Sequence, residues 1–124
     1  MKAEWIDFCR CNDFRIDGDF VEVIFVNERR QRVHIENQAD AYRVFSVAAR
    51  ADKLNDFSNP ALVAWERNRS LSLMGFRVDE RGRMIGEAWV PKIGLTAEEF
   101  QLYIRTVALE CDRFEFQLTG RDVE

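Results

Sequence analysis

Apolar and polar positions alternate with the period of a strand over two neighbouring stretches in the first third of the chain. Residues 20 to 26, Phe-Val-Glu-Val-Ile-Phe-Val, are rich in β-branched and aromatic types, and residues 31 to 36, Gln-Arg-Val-His-Ile-Glu, alternate strictly. The polar turn Asn27 to Arg30 joins them into a predicted hairpin. In the first strand Val21, Val23 and Phe25 share one face, while Phe20, Ile24 and Val26 share the other, broken only by Glu22. Two apolar faces on one strand both need cover, which predicts a central strand or a second subunit.

The period then lengthens. Asn37 is placed to cap a helix running to about Leu54, with Ala41, Val44, Phe45, Ala48 and Ala51 at helical spacing and Asp40 near its positive end. Asn55 to Pro60 is a turn-rich break, and Pro60 suits the first turn of a short helix ending near Asn68. Strands over about residues 71 to 79 and 83 to 90 form a second hairpin, turning at Asp79-Glu80-Arg81-Gly82. Apolar parity shifts from Leu71 and Leu73 to Met74, Phe76 and Val78, which points to a bulge at Gly75.

The strongest local signal follows. Thr96 is an N-cap, Glu99 completes a capping box, and Leu95 with Phe100 fits a hydrophobic staple, so a long helix is predicted from Ala97 to at least Cys111. Phe100, Tyr103, Ile104, Val107, Ala108, Cys111 and Phe114 form its main stripe; Leu102 and Leu109 form a second stripe that needs a partner. In the first dozen residues Trp5, Phe8 and Cys9 fit a helix, whereas Ile6, Phe8, Phe14 and Ile16 fit a strand in parity. A short helix is the reading adopted there.

Particular residues add to this order of elements. Trp65-Glu66-Arg67-Asn68, then Phe76-Arg77-Val78-Asp79-Glu80-Arg81-Gly82-Arg83, then Val90-Pro91 and Gly94-Leu95-Thr96-Ala97-Glu98-Glu99-Phe100, ending in Cys111-Asp112-Arg113-Phe114, resemble the YbjN-like family. That family is similar in fold to the type III secretion chaperones. The resemblance covers about residues 60 to 118, and residues 14 to 54 agree in the order of elements. It implies a compact α+β domain in which an antiparallel sheet carries helices, commonly as a homodimer. Chaperones of similar fold hold an extended partner polypeptide against apolar grooves without ATP, and YbjN-like proteins are often described as sensory-transduction regulators. The resemblance brings no catalytic residues with it, and the family's first helix is short or missing here.

Composition narrows the classes. A chain of 124 residues with 47% apolar content predicts one domain that buries a core without disulfides or metal. An odd count of three cysteines, with no signal peptide and no run long enough to cross a membrane, predicts a cytoplasmic protein. The formal charge of −4, with basic and acidic residues interleaved, argues against nucleic acid or a membrane surface as partner. The one basic cluster, Arg29-Arg30-Gln31-Arg32, reads as a solvated turn.

Candidate chemistry is sparse. Cys9-x-Cys11 with Cys111 and His34 has the residue types of a zinc set but not the usual ligand spacing, so these cysteines read as small hydrophobes and no metal is expected. His34, the only histidine, alternates with Val33 and Ile35 and reads as an ordinary strand residue. Ser46, Ser58, Ser70 and Ser72 lie in no nucleophile elbow. The pairs Asp17 and Asp19, Asp79 and Glu80, and Glu98 and Glu99 serve turns or a helix start first. Trp5, Trp65 and Trp89 read as core or interface anchors; Ile85 and Trp89 share one strand face, and Met84, Ala88 and Val90 the other.

The reading that follows is a non-enzymatic cytoplasmic homodimer that needs no cofactor and binds a partner polypeptide through apolar surface. Its candidate interface residues are Phe20, Ile24, Val26, Ile85, Trp89, Leu102 and Leu109. The alternative is a small-molecule-binding regulatory domain of YbjN type. An open apolar groove would favour the first and a closed pocket the second.

Overall fold

The computed structural model describes residues 4–119 of the chain. The first hairpin pattern becomes strands β2 (Phe20–Ile24) and β3 (Arg30–Asn37), preceded by helix α1 (Glu4–Phe8) and strand β1 (Phe14–Asp17). Both readings of the N-terminal segment thus have a place: Trp5 and Cys9 are buried at a short helix, and Phe14 and Ile16 point inward from a strand that follows it. The turn between β1 and β2 falls at Gly18, whose φ of +63° suits a residue without a side chain.

The helix expected from Asn37 to Leu54 is not formed. Residues Ala41–Ala49 are strand β4, followed by a 3₁₀ turn at Ala51–Leu54. Tyr42, Val44, Ser46 and Ala48 face the core in strict alternation, so the segment carries a period of two beneath its apparent helical spacing. The strand form prevails because β4 pairs on both sides, with β3 at Ile35 opposite Val44 and with β6 at Val44 opposite Ala88. β-branched and aromatic side chains suit that half-buried central position.

Helix α2 (Pro60–Asn68) has the predicted bounds, and Asn59 Oδ1 accepts a hydrogen bond from Leu62 N at its start. The second hairpin is strands β5 (Gly75–Val78) and β6 (Met84–Pro91). Leu71 to Met74 precede β5 rather than belonging to it, and Leu73 has φ +65°, which accounts for the parity shift without a bulge at Gly75. The register irregularity lies instead in β4, between Val47 and Ala49. Helix α3 (Ala97–Thr119) carries the expected capping box, with Thr96 Oγ1 accepting from Glu99 N and Glu99 Oε1 accepting from Thr96 N, both at 3.2 Å.

The result is an α+β fold: a six-stranded antiparallel sheet in the order β1-β2-β3-β4-β6-β5, with α3 packed across one face. Phe100, Ile104, Val107, Cys111 and Phe114 of α3 are buried with Val21, Val33, Val44 and Val90 of the sheet. Ser46 is the polar member of this interior. Its hydroxyl donates to Arg32 O and accepts from Gln31 Nε2 at 2.7 Å, so Gln31 is buried rather than part of a solvated basic turn.

The opposite sheet face has no helix over it among the described residues. It carries the rings of Phe20, His34 and Phe45 in a row, with centroids 5.7 and 5.1 Å apart, and the guanidinium groups of Arg32 and Arg43 lie over the two end rings. Burial against these neighbours lowers the pKa of His34, which keeps the imidazole neutral at pH 7. Ile85 and Trp89 share this face as expected, yet Ile85 is only 1% exposed while Trp89 is 55% exposed. Ile85 is thus covered by its own subunit's side chains, and of the two it is Trp89 that offers apolar surface on this face.

Candidate binding groove

An apolar groove of about 320 Å³ opens where β2 ends beside α3, lined by Ile24, Phe25 and Val26 on one side and Leu109 and Arg105 on the other, with Asp13 and Val23 completing it. The turn after β2 builds the first wall. Phe25 N donates to Arg29 O and Glu28 N to Phe25 O, each at 2.8 Å, while Asn27 Oδ1 accepts from Arg29 N. Glu28 takes the left-handed conformation that closes the turn, φ +68°, and Val26 at its tip is fully exposed. Arg29 then ties the turn to α3 through Asp112 at 2.6 Å and the ring of Phe116 at 3.7 Å.

Every charge in the groove has a partner. Arg105 binds Asp13 through Nε at 2.8 Å and a terminal nitrogen at 2.9 Å, and the thiol of Cys11 also donates to Asp13. These hydrogen bonds, from Arg105 above all, hold the Asp13 carboxyl down to about 2. What the groove offers a ligand is therefore apolar surface, chiefly Ile24, Val26 and Leu109, and not a free acid, base or ion. Three of the seven candidate interface residues converge here, a grouping that their sequence spacing does not show.

The two edges of the sheet beside this region are unequal. At the β1 edge Asp13 O accepts from Ile24 N, so Asp13, Arg15 and Asp17 pair inward and the amides and carbonyls of Phe14 and Ile16 point away from the sheet. At the β5 edge the side chain of Asn68 stands in for a strand: Oδ1 accepts from Phe76 N at 2.7 Å and Nδ2 donates to Phe76 O at 2.9 Å. A strand can therefore be added at β1 but not at Phe76.

The remaining candidates are dispersed. Leu102 lines a second apolar basin of about 320 Å³ with Leu73, Ile93, Leu95 and Tyr103. Ile93 is an exposed apolar residue that the sequence reading missed, because no periodicity extends into its loop, and Leu73, expected in a strand, is exposed in the loop before β5. Phe20 is half-buried, and Trp89 borders a larger depression of about 560 Å³ with His34, Arg43, Phe45 and Arg77 on the open sheet face. Its arginines at positions 43, 77 and 83 are paired: Glu87 takes both Arg43, at 2.7 Å, and Arg77, and Asp79 takes Arg83 at 2.8 Å, while Glu80 and Arg81 line it without an ion pair among the described residues. Burial works to raise the Glu87 carboxyl, but the bonds from Arg77 and Arg43 prevail and lower it.

Cys9 and Cys111 are buried and free, and desolvation pushes both thiols up to about 12, which makes them unreactive hydrophobes at neutral pH. Among the described residues no group of three His, Cys, Asp or Glu side chains is placed to hold a metal ion. No helix among those residues is long and apolar enough to cross a membrane.

No protein-family model matches the chain, so the likeness to the YbjN-like family remains a resemblance. No curated protein matches it in sequence either. Among solved structures, a chain of the HopA1-SchA chaperone-effector complex superposes with a TM-score of 0.54 over 92% of this chain and 88% of its own, at 13% identity. The likeness is one of fold, and it agrees with the chaperone-like α+β architecture expected from the sequence.

Proposed function

We propose that this chain is a non-enzymatic, cytoplasmic, chaperone-like protein of a single domain that acts as a homodimer and binds an extended segment of a partner polypeptide. The observation that carries this reading is the groove of Ile24, Val26 and Leu109, open and apolar, with its charges already paired, beside the unpaired edge of β1. An extended segment would hydrogen-bond along Phe14 and Ile16 and set alternate side chains toward the apolar wall. The similarity of fold to a chain from a chaperone-effector complex supports a polypeptide partner. A small-molecule regulator of YbjN type would draw on the depression at His34 and Trp89, where Arg43, Arg77 and Arg83 are already held by Glu87 and Asp79.

The test uses reduced, carboxymethylated α-lactalbumin, a permanently unfolded polypeptide, labelled for fluorescence anisotropy. Binding is expected, and it should persist at high salt because apolar anchors rather than charges supply it. Val26→Asp should weaken it about tenfold or more, the cost of placing a charge where an apolar anchor docks, while His34→Ala leaves it unchanged. Absence of binding, or a small molecule that copurifies with the protein and competes for the groove, would overturn the reading.

A further inference from the structure

The exposed positions of α3 are Glu98, Glu99, Leu102, Leu109, Arg113 and Gln117. Four of them, Glu98, Leu102, Leu109 and Arg113, lie along the helix side opposite the buried stripe of Phe100, Ile104, Val107, Cys111 and Phe114. Their order is acidic, apolar, apolar, basic, and it is symmetric about the point between Arg105 and Thr106. Reversing the helix about that point brings Leu102 to the level of Leu109 and Glu98 to the level of Arg113.

Resting on the homodimer part of the proposed function, we infer that a second copy of this chain docks there, α3 antiparallel to α3 about a two-fold axis between Arg105 and Thr106. One symmetry operation then makes two apolar contacts and two ion pairs: Leu102 on Leu109 of the partner subunit, Glu98 on Arg113 of the partner subunit, and each in reverse. The two leucines of one helix are about 10 Å apart along its axis, from a rise of about 1.5 Å per residue. They flank the axis closely enough for both pairs to close when the helices pack at the usual separation of about 8–10 Å.

The neighbouring groups permit this approach. Arg105, the charge nearest the axis, is already neutralised by Asp13 in its own subunit, so two like charges do not meet. Arg113 has only a loose contact with Glu110, at 3.5 Å, and its side chain is 60% exposed. Glu98 makes no ion pair among the described residues and is free to take Arg113. An extended polypeptide has no matching symmetry, since its side chains repeat every two residues and it carries no fixed pair of opposite charges at both ends of the stripe. The groove at Ile24 and Val26 shares Leu109 with this stripe but does not include Leu102, and the stripe does not include Val26, so Leu102→Glu probes the dimer and Val26→Asp the groove.

The experiment is light scattering across a micromolar concentration series, with helix content and melting monitored to confirm that each variant is folded. The parent should dimerise and Leu102→Glu should not. Glu98→Arg and Arg113→Glu, each alone, should raise the dissociation constant about tenfold, because both ion pairs become like-charge contacts. An equimolar mixture of these two variants should recover the dimer, since every contact in the mixed pair is again between opposite charges, and so should the double charge exchange. A parent that stays monomeric, a dimer that survives Leu102→Glu, or single variants that do not rescue each other would overturn the inference. A monomer that still binds the unfolded probe leaves polypeptide binding standing; a dimer dissolved by Leu102→Glu that binds no probe supports the inference and removes polypeptide binding.

Discussion

Gly86→Ala tests the closest approach between the sheet and α3. Gly86 lies mid-strand in β6 on the face covered by the helix, and a Cβ built there would sit 2.6 Å from Cys111 Sγ, 2.8 Å from Met74 Cε and 2.9 Å from Phe76 Cε1. The first of these falls 0.8 Å short of an ordinary 3.4 Å contact. All three neighbours are side-chain ends; half-buried Met74 can swing aside, but Cys111 and Phe76 are buried and cannot move without displacing others. The expected cost is that of overpacking, about 1–3 kcal/mol. Urea denaturation should show a lower midpoint at unchanged slope, with a melting temperature lower by about 3–5 °C for each kcal/mol. Cys111→Ala removes the nearest clashing atom, so the double variant should cost less than the sum of the two single changes, by roughly 0.5–3 kcal/mol. Equal midpoints for Gly86→Ala and the parent, or strictly additive costs, would refute this account of the packing.

Thr96→Ala removes the hydroxyl that caps α3 and should cost about 0.5–2 kcal/mol in the same urea titration. Glu28→Gly relieves a left-handed backbone at the groove turn and should raise stability by about 0.5–1 kcal/mol, read as a higher midpoint. Asp13 is held below its ordinary 3.8, at about 2, so its contribution is complete above pH 3.8 and is lost as pH falls toward 2. Asp13→Asn should accordingly flatten the acid limb of a stability-against-pH curve over that interval while losing stability at neutral pH.

Local chemistry that acts within a few residues was legible in the sequence. The capping box at Thr96 and Glu99, Pro60 at the start of α2, the Asp79–Gly82 turn and the main stripe of α3 depend on near neighbours, and each has its predicted place. The exposed stripe of Leu102 and Leu109 was legible for the same reason, because helical periodicity states which side chains cannot face the sheet. Segment 41 to 49 was not. Its residues satisfy periods of both two and 3.6, and only pairing with β3 and β6, contacts distant in sequence, makes it the central strand. The same dependence hid the groove: Asp13 meets Arg105 and Arg29 meets Asp112 across most of the chain, and Ile85 is buried by the neighbours of its strand. Residue spacing fixes direction along one element, whereas a site between elements is decided by which elements come to lie side by side.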